Sequence, residues 1–266
     1  MSGPPGARYA RLFGALAPAG HAAFIPFVML GDPDAARSLA LIRSLVAAGV
    51  DALELGLPFS DPIADGPVIQ AAATRALAAG VHRADCWRIV RTVRAEAPEL
   101  PIGLLVYANL VCHREPAEFY RDAAEAGVDS VLVADLPVAE SAPLAAAARA
   151  EGIAPVFIAP PNADAARLQA IAAAGQGYTY VTSREGVTGA DEALRRDQSR
   201  LIAELRALGA PPPVLGFGIS GPEQVRQAIR MGAAGVISGS AIVKRAAAGE
   251  DVLELVRALR SAARGG

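Results

Sequence analysis

Residues 53–67, Leu-Glu-Leu-Gly-Leu-Pro-Phe-Ser-Asp-Pro-Ile-Ala-Asp-Gly-Pro, put one carboxylate, Glu54, inside an apolar strand and two more, Asp61 and Asp65, in the loop behind it. An ionised group in the core of a sheet or barrel costs several kcal/mol unless it is paired or neutralised. If the strand ends near Gly56, Glu54 stands at its carboxyl end and Asp65 can fold back over it, so that two carboxylates face one substrate. That is an arrangement for moving protons. Each residue also has a plainer reading. Glu54 could pair with an arginine, and Asp65, ahead of Gly66-Pro67, could cap a helix starting near Val68. Asp61 before Pro62 reads as a turn or interface residue.

A second chemical signal lies near the carboxyl terminus, in Gly216-Phe217-Gly218-Ile219-Ser220 and Ser238-Gly239-Ser240-Ala241. Glycines let backbone N–H groups approach an anion, and a helix starting at Gly239-Ser240 adds its positive dipole end. Two such loops suit a phosphate, although Gly216 and Gly218 could simply make tight turns. The segment Ser183-Arg184-Glu185-Gly186-Val187-Thr188-Gly189 could close over the same phosphate or be an ordinary surface loop. Tyr107, Asn109, Asp135, Tyr178 and Tyr180 complete the polar groups near strand ends, with Asp135 read as a hydrogen-bond acceptor.

Composition narrows the chemistry. The single lysine, Lys244, falls in the last helical region, away from any strand end, which disfavours a Schiff-base aldolase. His21, His82 and His113 are scattered with no HxH or HExxH pair, which disfavours a metal site. There is no GxSxG elbow, and neither Cys86 nor Cys112 has an evident base partner. Few aromatic residues make a sugar cleft a poor fit. Acid and base chemistry by carboxylates on a phosphorylated substrate is what survives.

These groups need a frame, and the pattern supplies one. Apolar runs at 23–29, 51–56, 102–107, 129–134, 153–158, 177–182, 213–217 and 235–238 read as strands. Helical stretches fall around 35–48, 68–80, 84–97, 116–126, 139–151, 163–174, 197–208, 221–231 and 240–263, with 240–248 a short helix of its own before Gly249. Ala48-Gly49-Val50-Asp51 and Ala126-Gly127-Val128-Asp129 mark helix ends, glycine supplying the left-handed cap. Strands this apolar need both faces covered. Eight strand and helix units without a composition shift predict an α/β protein, a single (β/α)8 TIM-barrel domain over 1–266, with a short extra N-terminal helix at 8–17. The active site of such a barrel lies at the carboxyl ends of its strands. The long irregular segments 57–67 and 183–196 fall there and suit lids.

The whole chain of 266 residues has a formal charge of -2, with both signs interspersed. That gives no surface for nucleic acid or an anionic membrane, and a small metabolite fits better. Two cysteines without a CxxC pair suit a reducing cytosol. The start superficially mimics a secretory signal, but Pro18, Gly20 and His21 break the apolar region before the buried run from Phe24 to Leu30. No stretch reaches the ~18 apolar residues of a membrane span, and a cytoplasmic location is expected.

Taken together, Phe27-Val28-Met29-Leu30-Gly31-Asp32-Pro33, the 53–67 segment, Leu104-Leu105-Val106-Tyr107-Ala108-Asn109, the run 128–141, Pro160-Pro161-Asn162-Ala163-Asp164, Ser183 to Gly189 and Gly216 to Lys244 resemble the tryptophan synthase alpha-subunit family, in order and over nearly the full chain. The resemblance implies a lyase that cleaves indole-3-glycerol phosphate to indole and glyceraldehyde 3-phosphate without metal or Schiff base. It implies Glu54 as the residue that protonates indole C3 and takes the side-chain hydroxyl proton. Asp65 would hold the indole N1–H. Phe27, Leu105, Leu132, Tyr180 and Ile237 would surround the indole, and Gly189, Gly218, Gly239 and Ser240 the phosphate. Tyr180 is also expected to steady Asp65. One departure is Met29, where many relatives have threonine. The implied partner is a beta subunit, in an alpha2beta2 assembly, that carries pyridoxal phosphate, with no cofactor in this chain. Loops 57–65 and 184–198 would be both lids and contacts. A stand-alone lyase and a non-catalytic activator of the beta subunit are the alternatives.

Overall fold

The computed structural model describes residues 4–182, 191–216 and 218–266, over 191–197 the backbone alone. Eight parallel strands close into a barrel: β1 (Ala23–Met29), β2 (Leu53–Gly56), β3 (Ile102–Val106), β4 (Ser130–Val133), β5 (Ala154–Ala159), β6 (Thr179–Val181), β7 (Pro213–Leu215) and β8 (Gly235–Ser238). Each pairs with its sequence neighbour, and β8 closes against β1. This is the expected TIM barrel.

The continuous apolar runs split into two cores because successive side chains leave a strand on opposite faces. From β1, Phe24 and Val28 pack outward beneath the helices, while Ile25, Phe27 and Met29 fill the barrel. From β2, Leu53 and Leu55 belong to the outer core. Glu54 between them must therefore point inward, level in register with Phe27 on β1 and Gly103 on β3. Strand alternation, and no local motif, aims this carboxylate into the barrel.

The N-terminal helix Ala7–Leu16 plugs the opposite end of the barrel from the loops that follow the strands. Tyr9 and Phe13, one helical turn apart, are its buried residues. Tyr9 sets its ring 5.3 Å from that of Tyr178, and its hydroxyl lies 3.0 Å from Ser130 Oγ. The expected glycine caps are present: Gly49 and Gly127 have φ of 78° and 93°. The aspartates two residues on tie strand bottoms together. Asp129 accepts from Ile102 N–H at 2.8 Å and from Arg94 and Arg8 at 2.6 Å each, and Asp51 accepts from Phe24 N–H at 2.8 Å and pairs with Arg264.

The short helix read at 240–248 is present as Ser240–Ala248, ended at Gly249 with φ 70°, and the rest of that stretch is a second helix, Val252–Ala263, opened by Asp251, which accepts from Leu253 N–H. Other boundaries differ from the sequence reading. The helix expected at 197–208 starts earlier, at Asp191, inside the segment read as loop to 196. Its first two turns are polar and carry no apolar periodicity to betray them. A short helix, Ala108–Cys112, was not expected after β3; Asp135 Oδ1 anchors it by accepting Ala108 N–H at 2.7 Å.

Candidate active site

Where β2 ends, Leu57 stays buried and the chain then rises into the loop that carries Asp65. That loop ends at Gly66, the N-cap of the helix Pro67–Ala78, and no side chain caps the helix. The cap reading of Asp65 therefore falls. Asp65 lines a cavity of about 260 Å³ at the carboxyl ends of the strands, and Glu54 lines it too.

The same cavity gathers Phe27, Leu105, Leu132, Tyr180 and Ile237, all five side chains expected around an aromatic ring. Gly218, Gly239 and Ser240, expected around a phosphate, line it as well. Gly218 has φ 74°, a conformation that L side chains rarely adopt. Gly239 is the N-cap of Ser240–Ala248, so that helix presents its free N–H groups to the cavity. Ser238 ties the two glycine loops together by donating to Ile219 O at 2.7 Å. Gly189, with the whole 183–190 segment, lies outside the described residues.

Glu54 is 1% exposed, and the arginine pair considered for it is not what holds it. Tyr178 donates to its Oε1 at 2.8 Å, while Oε2 is buried with no hydrogen-bond partner. Burial pushes the Glu54 carboxyl up to about 7; the Tyr178 bond opposes this, and the charge of Asp65 adds to it. A carboxyl in that range is available both as acid and as base near neutrality. Burial also raises the Asp65 carboxyl, opposed by a hydrogen bond from Tyr107.

One expectation is corrected. Tyr180 does not hold Asp65: its hydroxyl donates to Gly216 O at 2.9 Å. The remaining assignments follow the sequence reading. Asp61 lies exposed on the loop, accepting from Ser60, and Asp135 is a strand-end acceptor.

Tyr178 was visible as a polar residue near a strand end, but nothing in its spacing marked it as the partner of Glu54. Ala134, Ile158 and Thr182 also line the cavity. They stand two residues beyond Leu132, Val156 and Tyr180, so period-two alternation alone would have found them. Among the described residues no group of three or more His, Cys, Asp or Glu could hold a metal ion.

The family model described as tryptophan synthase alpha chain matches residues 13–264. A tryptophan synthase alpha chain of Shewanella amazonensis is 56% identical over 255 residues, 96% of each chain. One from Yersinia pseudotuberculosis is 57% identical over 237 residues, covering 89% of this chain and 88% of that one. Among solved structures, Mycobacterium tuberculosis tryptophan synthase superposes with a TM-score of 0.89 at 31% identity, covering 97% of this chain and 99% of that one. The alpha subunit from Legionella pneumophila gives 0.86 at 31% identity, with the same coverage.

Proposed function

The chain belongs to the tryptophan synthase alpha chain family, a lyase family that cleaves indole-3-glycerol phosphate in tryptophan biosynthesis, and from that premise we propose that Glu54 and Asp65 are its acid–base pair. The observation that carries the assignment is the cavity itself. Its lining joins apolar side chains and two carboxylates to a pair of glycine loops, one of them at a helix N-terminus. Indole-3-glycerol phosphate calls for that combination, with its aromatic ring and its phosphate.

With the ring among Phe27, Leu105, Leu132, Tyr180 and Ile237, the phosphate rests on backbone N–H groups at Gly218, Gly239 and Ser240. Gly189 completes that cradle by resemblance. Protonated Glu54 gives its proton to indole C3, and the ring becomes an indoleninium cation. The carboxylate so formed takes the proton of the side-chain hydroxyl next to the breaking bond. The bonding pair returns to the ring, the hydroxyl carbon becomes the aldehyde of glyceraldehyde 3-phosphate, and Glu54 ends the cycle protonated as it began. Asp65 stays ionised, accepts the indole N1–H and stabilises the positive charge on the ring. A Glu54 carboxyl near 7, with Oε1 held by Tyr178 and Oε2 free, suits a group that must give and retake one proton.

A beta subunit is the partner of this family. We assign the assembly as alpha2beta2, with pyridoxal phosphate confined to the beta chain and no cofactor in this one. The loop 57–65, where Ile63 is 81% exposed, is its contact. The location is taken as cytoplasmic, in keeping with two free cysteines. Among the described residues no helix is long and apolar enough to cross a membrane.

The deciding experiment measures indole released from indole-3-glycerol phosphate by wild type, Glu54→Gln and Asp65→Asn, with and without a beta subunit. Wild-type turnover in either variant sinks the role given to that residue. Turnover equal with and without the beta subunit favours a stand-alone lyase.

A further inference from the structure

The last turn of the loop after β2, residues 62–65, has little packing to hold it: Ile63 is 81% exposed and Ala64 is exposed as well. Its backbone groups are nevertheless paired one by one. Pro62 O accepts the Asp65 N–H at 3.1 Å, and the Ala64 N–H goes to the Tyr107 hydroxyl at 3.1 Å. The Asp65 carbonyl is taken by a side chain, Gln70, whose Nε2 donates to it at 2.8 Å and reaches Pro62 O at 3.4 Å. Two carbonyl acceptors call for an N–H donor, so the amide nitrogen of Gln70, and not its oxygen, faces the loop.

Gln70 acts from a fixed element. It follows Ile69, which lines the cavity, in the helix Pro67–Ala78. Ile69, Ala72 and Ala73 bury that helix in the same apolar cluster as Phe27 and Met29 of β1. Arg75, on the same helix, donates to both oxygens of Asp32, in the loop after β1, at 2.7 and 2.8 Å. We propose that Gln70 is a positioning residue for the lyase reaction: it holds the Asp65 carbonyl while Pro62 holds the Asp65 N–H, and the two fixed peptide groups set the direction in which the Asp65 side chain leaves the backbone. This rests on the reading above that Asp65 accepts the indole N–H.

Gln70 is exposed and lies outside the cavity lining, so its effect is confined to where the carboxylate sits. Asp65 answers a positive charge that is full only once indole C3 is protonated. A misplaced carboxylate therefore costs more in the transition state than in the bound substrate. A side chain that merely stiffened the helix would show no such bias. Thr74, one turn further along the same helix, supplies the contrast, because its hydroxyl donates at 3.0 Å to the carbonyl of Gln70, within the helix.

The test is Gln70→Ala in the full chain, assayed for indole released from indole-3-glycerol phosphate. Loss of one hydrogen bond sets the expected fall in kcat at roughly three- to tenfold, with KM changed less. Gln70→Glu, which keeps the length of the side chain and turns a carboxylate oxygen toward two carbonyls, falls at least as far. Thr74→Ala keeps the wild-type kcat. In an Asp65→Asn background, Gln70→Ala adds little further loss, since it acts through the missing carboxylate. An unchanged kcat in either Gln70 variant, an equal fall in Thr74→Ala, or the full Gln70→Ala loss persisting in the Asp65→Asn background overturns the positioning role while leaving Asp65 itself intact. Wild-type turnover in Asp65→Asn alone overturns the role of Asp65 and the inference with it. Independently of turnover, the Asp65 amide should exchange with deuterium faster in Gln70→Ala than in wild type, and equal rates overturn the proposal.

Discussion

Tyr178 donates its hydroxyl proton to Glu54 Oε1 at 2.8 Å from within the barrel, and the other oxygen of the same carboxylate is left buried and unpartnered. The two oxygens are therefore inequivalent before any substrate arrives. Oε1 is committed to the protein and Oε2 is the one with a proton to give. The first prediction follows from this asymmetry. Glu54→Gln keeps the Tyr178 bond through its amide oxygen but has no proton to transfer. It should lose indole formation by roughly 10²–10⁴-fold or more, while a glycerol-phosphate analogue of the substrate binds with little change. A stopped assay for indole, paired with calorimetric binding of the analogue, separates the two effects.

The same residue sets a pH dependence of stability. Folding raises the Glu54 carboxyl from 4.5 to about 7, so between those values the folded protein holds a proton that the unfolded chain has released. Stability from this group is full below about 4.5 and is lost as pH rises through about 7. The loss amounts to at most about 3 kcal/mol, as an order of magnitude. Glu54→Gln should therefore be little different from wild type in urea unfolding at pH 5 and more stable at pH 8.5. An equal difference at both pH values would show that Glu54 does not titrate over this range.

The sequence announced Glu54 because a lone acid in an apolar run is physically conspicuous, and it announced the barrel because eight such runs alternate with glycine-capped helices. The glycine loops were legible for the same kind of reason, since only glycine suits a φ of 74° at Gly218. What escaped was pairing at a distance. Tyr178 meets Glu54 across 124 positions and Tyr107 meets Ala64 across 43. Alternation fixes that a side chain enters the barrel, but its height in the barrel depends on strand stagger, which no local pattern encodes. The helix Ala108–Cys112 was missed on similar grounds, because its anchor, Asp135, comes from the next strand.

The phosphate end offers a third prediction. Gly218→Glu places a side chain at φ 74° and a negative charge where the substrate phosphate is expected. The backbone strain is about 1–2 kcal/mol and the charge repulsion acts only when phosphate is present. The variant should remain folded, bind inorganic phosphate and substrate at least about tenfold more weakly, and show less discrimination between indole-3-glycerol phosphate and its dephosphorylated form. Unchanged affinity for both would count against a cradle at this loop.

Gly216 and Tyr180 supply the last. A Cβ built on Gly216 would lie 2.0 Å from Tyr180 Cζ and 2.3 Å from its hydroxyl oxygen, far inside contact distance. The ring cannot simply turn away, because its hydroxyl donates to Gly216 O at 2.9 Å and its body is packed in the barrel. Gly216→Ala must therefore push Tyr180 into the space expected for the indole, or force the β7 end back and carry Gly218 with it. Either displacement weakens substrate binding, and overpacking of this kind typically costs 1–3 kcal/mol, so KM should rise roughly 5- to 100-fold. Shortening the tyrosine removes the object of the clash. Tyr180→Leu alone should lose ring contacts and bind substrate less well, yet Gly216→Ala should cost much less in that background than in wild type. Steady-state kinetics on the four proteins gives the coupling directly. Additive effects would mean that the Gly216 side of the cavity yields to a methyl group without involving Tyr180, and that the glycine is required there for its backbone alone.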